Sequence, residues 1–354
     1  YKIWLECILN FDAHSLNFTP SYFNWTNNTG HALIEECSIK IGGQQMDKHT
    51  STWLDIWNEL TDHDESDWLG LNKHSAKNAY LKSNNNTNLY SDKKLKLYIP
   101  LQFWFNRNVG LALPLIALQY HEVELDIKFR GISALINTDQ EIGTILPTSS
   151  NSTLNVKVFA DYIYLDTDER RRFAEVSHEY LIEQVQHIEY RESSEYSFDL
   201  TFNHPVKELI WTGKYDVNQG NTTIVKYDET SDKAPTFKIK MNGNDRIEER
   251  DFRYFTRQQI NDYHSGPGGL DSSFSNRSDN VISNVNNSRN DSIAVYSFSL
   301  NPEQHQPSGS CNFSRIDNSQ LIFDNLTDNA TVSIEIFAVN YNVLRIMSGM
   351  GGLA

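Results

Sequence analysis

His121-Glu122 is the opening of a zinc-binding helical motif that needs a second histidine one turn later. No second histidine follows at that spacing, and Val123, Leu125, Ile127 and Phe129 alternate with charged residues instead. The pair therefore reads as the surface end of a strand. His49, His63 and His74 flank the acidic residues Asp62, Asp64, Glu65 and Asp67, a composition that could chelate a divalent cation but equally describes a solvated loop. Gly266-Pro267-Gly268-Gly269 and Gly349–Gly352 lack the Lys-Ser/Thr of a phosphate-binding loop and read as turns. No Gly-x-Ser-x-Gly elbow is present. Carboxylates occur throughout, and only their separation in space would decide a glycosidase. Glu169-Arg170-Arg171-Arg172, the one basic cluster, reads as a solvated helix start or an anionic contact. The expectation is no catalytic residue, no cofactor and no metal.

The elements that carry these residues are mostly short alternating runs, the mark of half-buried strands. Besides Val123–Phe129, Val156, Val158, Ala160, Tyr162 and Tyr164 follow the pattern, as do Ile334, Ile336 and Ala338. Asn/Gly/Ser/Asp clusters at 83–88, 148–152, 218–223, 242–245 and 265–292 separate them as turns and loops. Two stretches depart from alternation. Trp53, Ile56, Trp57 and Leu60 have the spacing of a short one-sided helix. Phe173, Val176, Tyr180 and Leu181 predict a second helix over 167–184, with Thr167 as N-cap and Asp168 and Glu169 in its first turn. It falls near the midpoint and divides an N-terminal unit, 1–166, from a C-terminal unit, 185–354.

Internal repetition supports two copies of one β-domain. Ile39-Lys40-Ile41-Gly42-Gly43 recurs as Ile239-Lys240-Met241-Asn242-Gly243, and Val158-Phe159-Ala160 as Ile336-Phe337-Ala338. Between them, Tyr98–Phe105 matches Tyr296–Pro302, each a strand feeding a loop. The copies keep their order.

Composition narrows function by exclusion. The chain is 39% hydrophobic but 12% aromatic, enough ring area to fill two sandwich cores. Its net charge of −15 would be repelled by phosphate backbones, so no direct nucleic-acid partner is expected. Cys7, Cys37 and Cys311 form neither a disulfide framework nor a zinc pattern. The apolar run Val109–Leu118 is half a membrane span and contains Pro114. The chain starts at Tyr1 inside an expected strand and closes in a Gly-rich stretch, so short terminal pieces are expected beyond it. Glycan-acceptor triplets begin at Asn17, Asn24, Asn27, Asn85, Asn151, Asn221, Asn276, Asn286, Asn290, Asn312, Asn325 and Asn329. Abundant Asn, Ser and Thr generate such triplets by chance.

Asn106–Val123, reading NRNVGLALPLIALQYHEV, resembles the signature segment of major capsid proteins of nucleocytoplasmic large DNA viruses. Ile41–Leu60, Asn301–Asp317, Phe337–Met347 and Ser348–Ala354 resemble the same family, in its order. The resemblance implies an all-β double jelly roll, two consecutive eight-stranded sandwiches with short helices and long loops. It implies homotrimeric, pseudo-hexameric capsomers tiling an icosahedral shell. Neighbouring capsomers, minor capsid proteins and a nearby but uncrossed inner membrane would be the partners. The place would be the virion, assembled in host cytoplasm. Leu113, Pro114, Leu115, Gln119, Tyr120 and His121 are the candidate assembly and core residues, expected to pack because their run is too apolar for a wet loop. A carbohydrate-binding sandwich, lectin-like or glycosidase, is the alternative, with Trp25, Trp68 and Trp211 stacking on sugars.

Overall fold

The computed structural model describes residues 1–11, 23–25, 29–61, 93–131, 135–138, 153–193, 197–215, 223–224, 235–266, 268, 292–324 and 332–353. In the first half, β1 (Ile3–Phe11) is followed by the short β2 (Phe23–Trp25) and α1 (Thr29–Leu33). A hairpin, β3 (Ile34–Ile41) and β4 (Gln44–Thr50), leads into α2 (Ser51–Thr61). Then come β5 (Lys93–Pro100), α3 (Trp104–Arg107), β6 (Val123–Phe129), the short β7 (Ile136–Thr138) and β8 (Thr153–Ala160). One sheet runs β5–β1–β8 and the other β4–β3–β6. Leu5, Cys7, Leu9, Leu97 and Ile99 from the first meet Ile34, Cys37, Ile39 and Ile41 from the second.

The second half repeats this with more strands. After α4 (Thr167–Glu175) come β9 (His178–Ser193), β10 (Ser197–Asp199), β11 (Pro205–Tyr215) and β12 (Thr223–Ile224). The hairpin β13 (Thr236–Met241) and β14 (Asn244–Asp251) feeds a π-turn, Tyr254–Gln258, that runs into α5 (Gln259–Tyr263). The chain then forms β15 (Ile293–Ser297), β16 (Cys311–Asn312), β17 (Ser319–Asp324), β18 (Val332–Met347) and β19 (Met350–Leu353). β11 pairs with β15 on one side and β18 on the other, and β18 pairs in turn with β9. The facing sheet runs β10–β17–β13–β14. β15–β11–β18–β9 and β10–β17–β13–β14 are the two four-stranded layers of a jelly roll, the first extended to seven strands by β12, β16 and β19. Trp211, Ala294, Ile334 and Ile336 pack against Phe237, Ile239, Leu321 and Phe323.

The halves correspond strand by strand: β5–β1–β8 with β15–β11–β18, and β4–β3–β6 with β14–β13–β17. Both hairpins even share a register irregularity, between Ile39 and Lys40 and between Ile239 and Lys240. The turns Gly42-Gly43 and Asn242-Gly243 have positive φ at both residues, as a two-residue turn matching strand twist requires. β9 and β10 lie along the outer edges of β18 and β17. Among the described residues, the equivalent edges of β8 and β6 carry no strand.

Three expectations need correction. The second helix ends at Glu175, and Tyr180 and Leu181 lie in β9. Their spacing satisfies a helix locally, but β18 offers a partner from His178 onward and that long pairing prevails. The N-cap is Asp166, whose side chain accepts the Glu169 N–H at 2.9 Å, and not Thr167. The Tyr98/Tyr296 match is also three residues out of register. Tyr98 lies opposite Glu6, and the counterpart of Glu6, Thr212, lies opposite Ile293.

Candidate assembly surfaces

The two halves meet along an apolar seam. Trp53, Ile56, Trp57 and Leu60 occupy one side of α2 and bury against Ile210, Ile293, Val295, Phe337 and Val339 on the outer face of the second sheet. The Trp53 and Phe337 ring centroids are 5.5 Å apart. Polar bonds fix the register at the edges. Thr52 Oγ1 donates to Glu335 Oε1 at 3.2 Å, and the backbone N–H groups of Gly266 and Gly268 donate to the Leu60 and Glu59 carbonyls. A Cβ on Gly266 would lie 2.4 Å from the Glu59 oxygen, so only glycine lets the bend after α5 approach the end of α2 so closely.

Beside the seam lies a buried network of charges. Glu183 accepts from Lys207 Nζ at 2.7 Å and from Arg107 Nη2 at 2.9 Å. Arg107 stacks over Trp57 at 4.5 Å, and Lys207 also donates to the Pro302 carbonyl. His264 bridges Glu208 at 2.9 Å and Glu303 at 3.2 Å. Burial pushes His264 down, but the two carboxylates outweigh it and lift the pKa to about 9. Burial likewise lowers Lys207, while Glu183 and Glu208 oppose the shift. Burial with the same two carboxylates raises Tyr341 to about 12. Every cation faces a carboxylate, and the Arg107–Glu183 pair ties the first half to a network otherwise built within the second. Arg107 comes from the signature segment and Pro302 and Glu303 from Asn301–Asp317, which joins two of the segments that resembled the capsid family. Sequence reasoning passed over Lys207 and Glu208. Their signal was two adjacent charges inside the apolar run Val206–Trp211.

The signature segment packs against the C-terminal hairpin. Pro114, Ala117 and Leu118 are buried and Leu113 partly so, whereas Leu115, Gln119 and Tyr120 are exposed. The run is thus core on one side and surface on the other. The Tyr120 N–H donates to the Gly349 carbonyl at 2.9 Å, and the Gly351 N–H donates to His121 Nδ1 at 3.1 Å. A Cβ at Gly349 would lie 2.5 Å from Tyr120 Cδ2, and one at Gly42 2.4 Å from His121 Nδ1. Gly42 and Gly349 lie in turns and give the clearance for His121 and Tyr120, whereas Gly351 and Gly352, read as part of a turn, lie in β19. An open groove of about 490 Å³ runs between this segment, the end of α4 and the β18–β19 turn.

The remaining candidates fall as follows. His49 is buried, stacked on Phe103 at 4.6 Å and 3.0 Å from Asp47, not in a chelating loop. His63, His74 and Asp62–Asp67 lie outside the described residues, as do Asn17, Asn27, Asn85, Asn151, Asn221, Asn276, Asn286, Asn290, Asn325, Asn329 and Trp68. Asn24 lies in β2, where the side chains, Trp25 included, are not described. The Asn312 side chain is half-buried and accepts the Ser314 N–H at 3.0 Å. Arg170, Arg171 and Arg172 are exposed on α4. Trp211 is fully buried in the second core and cannot stack on a sugar, which corrects that part of the carbohydrate reading. Among the described residues no group of His, Cys, Asp and Glu is placed to hold a metal, and no helix is long and apolar enough to cross a membrane.

Tandem jelly rolls clamped side by side, with extensive apolar seams and no assembled reaction centre among the described residues, define a capsid-type double jelly-roll protein. Residues 1–166 match the family model for the major capsid protein N-terminus, and residues 169–274 and 280–352 that for the large eukaryotic DNA virus major capsid protein. The chain belongs to this family of major capsid proteins. It is 44% identical to the major capsid protein of Pyramimonas orientalis virus, over all of this chain and 82% of that protein. Two solved structures cover all of it, each 29% identical over 89% of the matched chain. PBCV-1 VP54, fitted into a reconstruction of the virophage Sputnik, gives a TM-score of 0.73, and the PBCV-1 capsid gives 0.71. The chain is a structural protein of the virion shell, not an enzyme.

Proposed function

We propose that three copies of this chain form a pseudo-hexameric capsomer, and that such capsomers tile an icosahedral shell. The internal duplication carries the reading. Two matched jelly rolls per chain, 1–166 and 185–354 joined through 167–184, give a trimer six similar units while its closed three-fold symmetry prevents open-ended growth. Leu113 and Pro114 then serve the core. Exposed Leu115, Gln119 and Tyr120, with the groove beside them, face neighbouring capsomers or minor capsid proteins. The net charge of −15 keeps the genome from binding the chain directly. An internal membrane lies close to the shell without being crossed, and assembly takes place in host cytoplasm. Electron-microscopy class averages of the purified protein test the arrangement. Three-fold particles with six lobes are expected, and averages with only two lobes would refute it.

A further inference from the structure

We propose that the outer face of the first sheet, centred on Trp4, Tyr98, Pro100 and Phe159, receives the Phe252–Tyr263 helical segment of a second copy of this chain. The proposal rests on the trimeric reading above and names the surface that closes it.

The seam inside one chain sets the pattern. There the outer face of the second sheet grips α2 with Ile210, Ile293, Val295 and Phe337, all fully buried. Strand register gives each a counterpart in the first sheet. Ile210 lies opposite Phe337 and Val295, and Trp4 lies opposite Phe159 and Pro100 in the same way. Ile293 faces Thr212 as Tyr98 faces Glu6. Among the described residues, no helix covers the counterparts as α2 covers the second sheet. Phe159 is 40% exposed and stacks on Trp4 at 5.8 Å, and Trp4, Tyr98 and Pro100 are partly exposed. Lys2, Ile3, Trp4, Tyr98, Pro100 and Leu101 border an apolar hollow of about 240 Å³.

The complementary element is duplicated too. The segment Phe252–Tyr263 follows the β13–β14 hairpin as α2 follows the β3–β4 hairpin. Whereas α2 is docked, this segment exposes Arg257, Gln258, Asn261 and Asp262. Each chain therefore carries one docked sheet–helix pair and one sheet left open among the described residues. The second helical segment buries Phe252, Phe255 and Ile260 within its own chain and turns only its polar side, with Arg257, Gln258, Asn261 and Asp262, outward. The open sheet and this polar side cannot meet within one chain, but they meet head to tail between copies. Chemistry fits this occupant. The outward side of the segment is polar, and the open face carries the Lys96–Glu6 pair at 2.9 Å beside its rings. The contact between copies is accordingly more polar than the seam within a chain.

The test places the photo-crosslinking residue p-benzoyl-phenylalanine at Tyr98 in the full chain, in an equal mixture of isotopically light and heavy protein. After sizing, illuminated trimers are digested and the joined peptides identified. Mixed light–heavy peptides from within Phe252–Tyr263 are expected. Trimers whose crosslinks map to any other segment would overturn the surface while leaving trimerisation intact. Protein that is monomeric at all concentrations would sink both. As a second variant, Phe159→Glu alters an exposed ring and should leave the melting temperature of the monomer unchanged, while weakening trimerisation about tenfold or more. Undiminished trimerisation by that variant would also refute the proposal.

Discussion

His264 shows what a single residue contributes. It is sealed between Glu208 and Glu303 at the boundary of the two halves, and its proton is what makes both carboxylates tolerable there. Its folded pKa, about 9, lies above the ordinary 6.5, so its stabilisation is complete below pH 6.5 and is lost as pH rises through about 9. The difference amounts to roughly 3 kcal/mol. Glu303 shifts the other way. Burial raises it, but hydrogen bonds from His264 and Ser265 prevail and hold it below 4.5, so its contribution fades only as pH falls beneath that value. Scanning calorimetry should find the melting temperature falling between pH 7 and pH 9.5, with His264→Gln less stable at pH 7 and lacking that alkaline fall. An unchanged slope in the variant would remove His264 from this role. None of this was legible in the sequence, where charge usually marks a solvated face. Lys207 and Glu208, two charges within an apolar run, are the buried anchor of β11.

At the scale of elements, the sequence was most informative where local geometry dictates residue type. The repeated hairpins were readable because a two-residue turn needs left-handed backbone, which glycine and asparagine supply. The second helix was misread beyond Glu175 because its continuation is decided by β18, far along the chain. The signature run was rightly read as apolar, but which side is core depends on the C-terminal hairpin. Gly42 and Gly43 separate the two effects experimentally. Both have positive φ, but a Cβ at Gly43 meets nothing within 4 Å, whereas at Gly42 it collides with His121. Gly43→Ala should cost about 1–2 kcal/mol of backbone strain, and Gly42→Ala clearly more, in denaturant unfolding. Equal losses would mean that His121 moves aside freely.

For the whole molecule, fold class and family were legible because duplication leaves matched segments in order, and because the signature is long. Which faces meet was not, since the seam depends on α2 touching strands of the other half. That seam, Trp53 to Phe337, makes the chain one body with two matched units. The central claim is that this body is one third of a closed capsomer. Its direct test is the mass of the purified protein in solution, by light scattering coupled to size exclusion. The account predicts a stable species at three times the 40.8 kDa chain. A species that stays at the mass of one chain as concentration rises would contradict it.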